Sequence, residues 1–342
     1  MPDCEVASMN DKARKETILS GMQPTGKLHL GNLEGALRNW VRLQDEYWMY
    51  CCIVDWHSLT EVYADTSELK ESVFAMAVDF MAAGLDPEKC AIFVQSEVKE
   101  HAELHLIFSM LITVPTLTRL PTYREKKDDL SLDSYGFLGY PVLQAADICI
   151  YNAHKVPVGK DQEKHIWLAK DLAIRFNQTY RKVFVEPEPL FTPIPLILGS
   201  DNRKMSKSLN NHIPIDFTEK ETEKRIKSYY TDPKKVRKGD PGTPEGCPIY
   251  LLHQLYTADA ADKIAPPCRT GELGCVDCKK QATENLNVAL RPIRDRRAEL
   301  VKQPDYVWDV LATGRDRATQ RAQSVMDKVR RAMKTDYRYK KR

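Results

Sequence analysis

Lys204-Met205-Ser206-Lys207-Ser208 places two ammonium groups and two hydroxyls within five residues. Gly199-Ser200-Asp201-Asn202 precedes this run and Leu209-Asn210-Asn211-His212 follows it. Turn formers on both sides predict a loop, and the charges and hydroxyls on it suit a polyphosphate. A second group lies upstream, in Gly21-Met22-Gln23-Pro24-Thr25-Gly26-Lys27-Leu28-His29-Leu30-Gly31-Asn32. Gly26 and Gly31 stand where backbone could approach a ligand, and a helix starting near Asn32 would offer free N–H groups to phosphate. Val158-Gly159-Lys160-Asp161-Gln162 forms a third such passage. Taken singly, each string also suits an ordinary solvated loop in a chain with 51 Lys+Arg.

A different chemistry is suggested by Cys247, Cys268, Cys275 and Cys278, spaced C-x20-C-x6-C-x2-C. A C-x2-C pair with two further cysteines points to a tetrathiolate site, and both Zn²⁺ and an iron–sulfur cluster accept four thiolates. Pro244, Gly246, Pro248, Pro266, Pro267, Gly271 and Gly274 surround them, which suits a ligand loop better than a core. Cys51, Cys52 and Cys149 sit in apolar runs and read as small buried hydrophobes. Cys4 lies in the polar N-terminal tail.

These groups need a framework to bring them together. The chain has 342 residues, 42% of them hydrophobic, enough for two domains with a sizeable core. Its 51 basic and 48 acidic residues nearly balance at +3, so any nucleic-acid contact must come from local patches. No apolar run is long enough to span a bilayer, and Met1 to Glu16 carries Asp3, Glu5, Asp11 and Glu16 without a signal-peptide core. The chain therefore reads as cytoplasmic, and its nine cysteines are not expected to form disulfides.

Short buried strands are expected at Thr17–Ser20, Tyr50–Val54, Cys90–Val94 and His154–Val158, alternating with helices near 32–43, 67–83, 101–111, 142–151 and 163–176. Alternation of this kind is the signature of an α/β parallel sheet, whose ligands sit beyond the C-terminal ends of the strands. The loops at Gln23, Asp55 and Gln95 fall on that edge. Residues 1–16 read as a disordered extension, 17–213 as the α/β domain with a polar insertion at about 116–140, and 214–342 as a largely helical domain. Its last segment, 315–342, holds eleven Lys/Arg against three Asp, a solvated basic face or an RNA-contacting one.

Three motifs in this order resemble those of class I aminoacyl-tRNA synthetases, with His29-Leu30-Gly31-Asn32 as the "HIGH" element and Lys204–Ser208 as "KMSKS". Within that class the chain most resembles the tryptophanyl-tRNA synthetases, through Ser20–Asn39, Ile53-Val54-Asp55, Phe93–Val98, Tyr140–Tyr151, Val156–Asn177 and Leu290–Arg294. The resemblance runs through nearly the whole chain from residue 17. It implies a Rossmann-like catalytic domain, a C-terminal helical anticodon-binding domain and a homodimer. It implies activation of L-tryptophan by ATP with Mg²⁺, then transfer to the 2′-hydroxyl of the terminal adenosine of tRNA(Trp). Gln23, Pro24, Thr25, Gly31, Asn32, Gly159, Lys160, Asp161, Lys204, Met205, Ser206, Lys207 and Ser208 would contact ATP. Among them Asn32, Lys204 and Lys207, together with His29, would stabilise the transferring phosphate. In the first step little covalent chemistry falls to the protein, so positioning and charge dominate.

By the same resemblance Asp147 faces the polar atom of the aromatic side chain, and Tyr140, Gln144 and Gln162 take the α-amino group. Leu19 and His57 complete the amino-acid pocket. The sister tyrosyl enzymes also carry an Asp at this place, so Asp147 does not choose between indole and phenol. Tyr140-x3-Gln144-x2-Asp147 even matches the tyrosyl pattern, since many bacterial tryptophanyl enzymes have Met at Gln144. Bacterial tyrosyl enzymes place Tyr where Leu19 stands and Asp where Gln23 stands; Leu19 cannot bond a phenol, which favours tryptophan. A tyrosine–tRNA ligase and a non-charging, RNA-binding relative are the alternatives. Some tryptophanyl enzymes hold a [4Fe–4S] cluster on a similar cysteine pattern, which favours iron–sulfur over Zn²⁺ at Cys247, Cys268, Cys275 and Cys278.

Overall fold

The computed structural model describes residues 16–121, 123, 134–191, 196–233, 235–237 and 239–337. Residues 1–15 of the expected extension and 124–133 of the expected polar insertion lie outside the described residues.

Five strands form one parallel sheet: β1 (Thr17–Met22), β2 (Trp48–Ile53), β3 (Cys90–Val94), β4 (Lys155–Val158) and β5 (Glu188–Phe191), in the order β3-β2-β1-β4-β5. Their sequences are near-continuous apolar runs because both faces are covered. Successive side chains point to opposite faces, and the two cores divide accordingly. Ile18, Met49, Cys51, Ile53 and Ile92 enter one core; Leu19, Tyr50, Cys52, Val54 and Phe93 enter the other. Cys51, Cys52 and Cys149 are buried and unpaired, as their apolar settings suggest. β5 escapes sequence reading because Pro189 interrupts it; at a sheet edge the missing N–H costs no ladder bond.

Helices follow the strands. After β1 come α1 (Leu30–Asn32), a π-helical turn (Leu33–Leu37) and α2 (Arg38–Leu43). β2 leads into α3 (Asp55–Val62) and α4 (Leu69–Ala82), and β3 into α5 (Glu100–Ser109) and α6 (Val114–Thr118). α7 (Tyr135–Ile150) precedes β4, and α8 (Glu163–Thr179) follows it. The sequence places the start of α7 at Pro141, whereas the helix begins six residues earlier and runs through the proline. Ser134 Oγ caps it by accepting from the Phe137 N–H at 3.1 Å. An internal proline costs about 3 kcal/mol, but Phe137, Pro141 and Val142 are buried, and apolar burial returns about 1.5–3 kcal/mol per large side chain.

Beyond residue 218 the described chain is helical: α9 (Glu219–Lys227), α10 (Pro248–Tyr256), α11 (Ala260–Lys263), α12 (Ala265–Thr270), α13 (Cys275–Val301) and α14 (Pro304–Met333). No helix among the described residues is long and apolar enough to cross a membrane. α14 lies along β3 and covers that edge of the sheet, with Val307 and Leu311 in one core and Ala322 and Met326 in the other. Gly314 permits the approach, since a Cβ there would sit 1.9 Å from the Ile92 carbonyl oxygen. Gly314→Ala is expected to lower the urea midpoint, with a stability loss of about 1–3 kcal/mol, although alanine is the better helix former.

Candidate active site

The strand order reverses between β1 and β4, where a parallel sheet opens a crevice. A cavity of about 350 Å³ lies there, walled by Leu19, Ser20, Gly21 and Gln23 from β1 and by Val156, Pro157 and Val158 from β4. His57, Tyr140, Gln144, Asp147, Gln162 and His165 also line it. The residues expected to hold the amino acid, Leu19, His57, Tyr140, Gln144, Asp147 and Gln162, are thus brought together.

Asp147 is buried at the base of this cavity and its carboxylate is crowded with donors. Gln95 Nε2 lies 2.9 and 2.8 Å from its two oxygens, His57 Nε2 lies 2.9 Å from Oδ2, and His101 Nδ1 lies 2.6 Å from Oδ1. His101 Nε2 is held in turn at 2.7 Å by the Tyr151 hydroxyl. Burial pushes the Asp147 carboxyl up, but His101 and then His57 outweigh it and hold the group well below the usual carboxylate range. The side chain is therefore an ionised acceptor facing an apolar wall. On the other side, His165 Nδ1 meets Gln162 Oε1 at 2.9 Å and its Nε2 meets the Tyr140 hydroxyl at 3.3 Å. Gln95, His101 and His165 are the parts that sequence reading missed, beyond placing the Gln95 loop at the sheet edge. A buried polar residue on an apolar helix resembles any satisfied core histidine, and no local signal marks its partner.

The two lysine- and glycine-bearing loops meet beside this cavity. His29 caps α1, and its N–H donates to Asn32 Oδ1 at 3.1 Å. The Gly31 N–H points at Met205 Sδ at 3.3 Å, and Lys207 Nζ donates to the Thr25 carbonyl at 2.8 Å. Asn211 organises the lysine loop: its Oδ1 accepts from the Ser206 N–H at 2.8 Å, and its Nδ2 donates to Asp201 and to the Lys204 carbonyl. Gly199 leaves the space that Asn211 fills, since a Cβ there would meet its side chain at 2.3 Å. Burial, then Lys207 and His212, lowers the His29 pKa to about 4, so the imidazole is neutral at physiological pH. Burial also lowers Lys207 to about 8, which Asp79 only partly opposes. Gln23, Pro24 and Thr25 form a tight turn closed by the Thr25 N–H on the Gln23 carbonyl at 2.9 Å. Gly159, Lys160 and Asp161 lie in the 3₁₀ turn beyond β4; the Asp161 side chain lies outside the described residues. Ser206 Oγ and Ser208 Oγ are 2.8 Å apart, and Lys204 is exposed.

Cys247, Cys268, Cys275 and Cys278 line one small cavity of about 40 Å³, with Lys235 and Lys279 on its wall. Among the described residues, no group of three or more His, Cys, Asp or Glu is drawn close enough to hold a single metal ion. The donor set is thus gathered and chemically apt, four soft sulfurs, without being closed around one point. Gly242 backs it, where a Cβ would lie 2.9 Å from Cys268 Sγ.

A parallel sheet with a lysine loop and a glycine loop meeting at its switch point is the arrangement expected of the class I synthetases. In agreement, residues 11–291 match the family described as tRNA synthetases class I (W and Y). The tryptophan–tRNA ligase of Thermotoga maritima is 49% identical, aligning over 92% of this chain and 98% of that protein. The tryptophan–tRNA ligase of Aquifex aeolicus is 39% identical over 92% of this chain and 99% of its own length. A tryptophanyl-tRNA synthetase from Campylobacter jejuni, solved with ADP and tryptophan, superposes with a TM-score of 0.85 at 32% identity, covering 93% of this chain and 99% of that one. The chain belongs to the tryptophanyl-tRNA synthetases.

The neutral state of His29 is open to direct measurement. Its imidazole should titrate near 4 by NMR rather than near the ordinary 6.5. Because the Lys207 ammonium opposes the imidazolium, Lys207→Met should raise that pKa; no change would mean that the lysine loop is not docked on His29 in solution.

Proposed function

We propose that this chain is a tryptophan–tRNA ligase. It activates L-tryptophan with ATP and Mg²⁺, releases pyrophosphate, and passes the acyl group to the 2′-hydroxyl of the terminal adenosine of tRNA(Trp). The observation that carries this reading is the ionised, donor-crowded Asp147 opposite Leu19. An acceptor-only carboxylate suits the indole N–H, which donates and needs no donor in return. Leu19 adds apolar wall for the bicyclic ring and offers nothing to a phenol.

In this reading Tyr140, Gln144 and Gln162 turn oxygens toward the α-ammonium, His165 fixes two of them, and His57 closes the pocket beside Asp147. The tryptophan carboxylate then approaches the α-phosphate in line. ATP lies along Gln23, Pro24, Thr25, Gly31 and Asn32 on one side, Gly159, Lys160 and Asp161 on another, and Lys204 to Ser208 above. Neutral His29 and the Asn32 amide donate to phosphate oxygens as charge redistributes, while Lys204 and Lys207 draw the departing pyrophosphate. Lys207 would exchange the Thr25 carbonyl for a phosphate oxygen, turning a bond charged on one side into one charged on both. The enzyme would act in the cytoplasm as a homodimer. Exposed Leu106 and Met110, one turn apart on α5, with Val114 beyond, form an apolar strip suited to a second copy.

Pyrophosphate exchange tests the assignment: tryptophan should support it and tyrosine should not, and exchange with tyrosine alone would overturn it. Asp147→Asn should raise the KM for tryptophan about 10–100-fold, the loss of one charged hydrogen bond of about 1.5–3 kcal/mol.

We infer further that residues 214–342 include the anticodon-binding part and that Cys247, Cys268, Cys275 and Cys278 hold a [4Fe–4S] cluster. Four thiolates gathered on one small cavity, with two lysines on its wall to offset their charge, support this reading. When bound, such a group cross-links the segments carrying the four cysteines, ordering an RNA-binding surface. Cys275→Ser should abolish the visible iron–sulfur absorption and lower tRNA charging at least about tenfold, a loss of about 1.4 kcal/mol, while exchange stays nearly unchanged. Equal loss in both assays, or zinc in place of iron, would count against it.

A further inference from the structure

Five residues outside the site just described close a ring of hydrogen bonds behind it. Arg297 Nε donates to Asp79 Oδ1 at 2.7 Å, and Asp79 Oδ2 accepts the Leu28 N–H at 3.2 Å. The Leu28 carbonyl accepts the Ile215 N–H at 3.0 Å, and the Ile215 carbonyl accepts from Arg294 Nε at 3.3 Å. Arg294 and Arg297 are three residues apart on α13 and so share one face. Leu28 immediately precedes His29; Ile215 lies just beyond the lysine loop, and the Leu30 N–H bonds the Ile213 carbonyl at 2.8 Å. One helix face therefore grips both segments whose register sets His29 against Lys207. Asp79 is fully buried, and Arg297 is its charged partner, so removing either leaves a group without compensation. The helix α13 begins at Cys275 and carries Cys278.

We propose that Asp79, Arg294 and Arg297 are positioning residues for adenylate formation, coupling α13, whose first turn carries Cys275 and Cys278, to the loop that carries His29 and Asn32. They touch no substrate. The proposal rests on the ligase reading for its kinetic consequences, while its geometric content stands on the ring itself.

The test uses the full-length holoenzyme with Arg297→Leu, Asp79→Asn, the pair together, and Arg297→Lys. A misplacement of about 1 Å costs on the order of 100-fold in rate. Arg297→Leu should lower kcat for tryptophan-dependent pyrophosphate exchange about 10–100-fold while leaving the KM for tryptophan within about twofold. Arg297→Lys should recover most of that rate, and the double variant should be no worse than the worse single one, because both break one ring. Hydrogen exchange at the Leu28 and Leu30 amides should accelerate in Arg297→Leu. Unchanged kcat with only a lower melting temperature, or a tryptophan KM rising in step with the loss of kcat, would overturn the proposal, as would unaltered exchange at Leu28. If the parent enzyme supports pyrophosphate exchange with no amino acid, the ligase reading fails, and amide exchange at Leu28 and Leu30 decides the positioning claim by itself.

Discussion

At Gly31 the loop that carries His29 meets the lysine loop. A Cβ there would lie 2.9 Å from the His29 ring and 3.5 Å from Met205 Cβ, while the Gly31 N–H is directed at Met205 Sδ. A side chain at this point would displace the His29 ring, whereas Met205 stands at ordinary van der Waals distance. The same closeness buries His29 beside a lysine, which keeps its imidazole neutral, and brings Lys207 to the Thr25 carbonyl. The contact joins segments more than 170 positions apart, so it needs rigid support. The support is the short pairing of residues 28–30 with 213–215 and the fan of bonds from the buried Asn211.

Two buried aspartates show how the groups beside a carboxylate, rather than burial alone, decide what it does. Asp147 and Asp79 are both shut off from solvent, and in both burial is the largest influence, pushing the pKa up. Asp147 meets two histidines and a glutamine amide, and its pKa falls; Asp79 meets one arginine and one backbone N–H, with Asp216 nearby opposing them, and its pKa rises. The first therefore stays a charged acceptor at the cavity wall. The second is a tie between elements, held where any loss of its partner is felt. Burial of both in one small protein is tolerable only because each has its donors prearranged by helices packed on the sheet.

Much of the site was readable in the chain because its chemistry sits at strand ends. Buried strands announce themselves as apolar runs, and the residues that follow them must gather at one edge, as the Gln23 and Gln95 loops do; Leu19, Gln144, Asp147 and Gln162 were legible only through the family resemblance. What resisted reading depends on contacts between distant elements. His101 and His165 look like core histidines until Asp147 and Tyr140 are found beside them. β5 hides behind Pro189, and the π-turn at Leu33–Leu37 has no periodic signature. The cysteines were legible as a set, yet their spacing says nothing of the distance between sulfurs.

The basic C-terminal run is the clearest case of tertiary structure redirecting a compositional signal. Eleven Lys/Arg in 315–342 suggested either a solvated or an RNA-facing helix. In α14 three of these residues are tied to the body of the fold: Arg317 donates to the Pro87 carbonyl at 2.6 Å, Arg321 to the Tyr151 carbonyl at 3.1 Å, and Arg330 pairs with Glu103 on α5. These arginines clamp the helix over β3, where Gly314 lets it touch the strand. Tyr151 is thus held twice, by Arg321 at its backbone and by His101 at its hydroxyl, and His101 is the group that presses on Asp147. A helix that looks like a surface appendage by composition therefore supports the amino-acid pocket from behind without lining it. Through Arg321 it serves the position of a single buried carboxylate three contacts away.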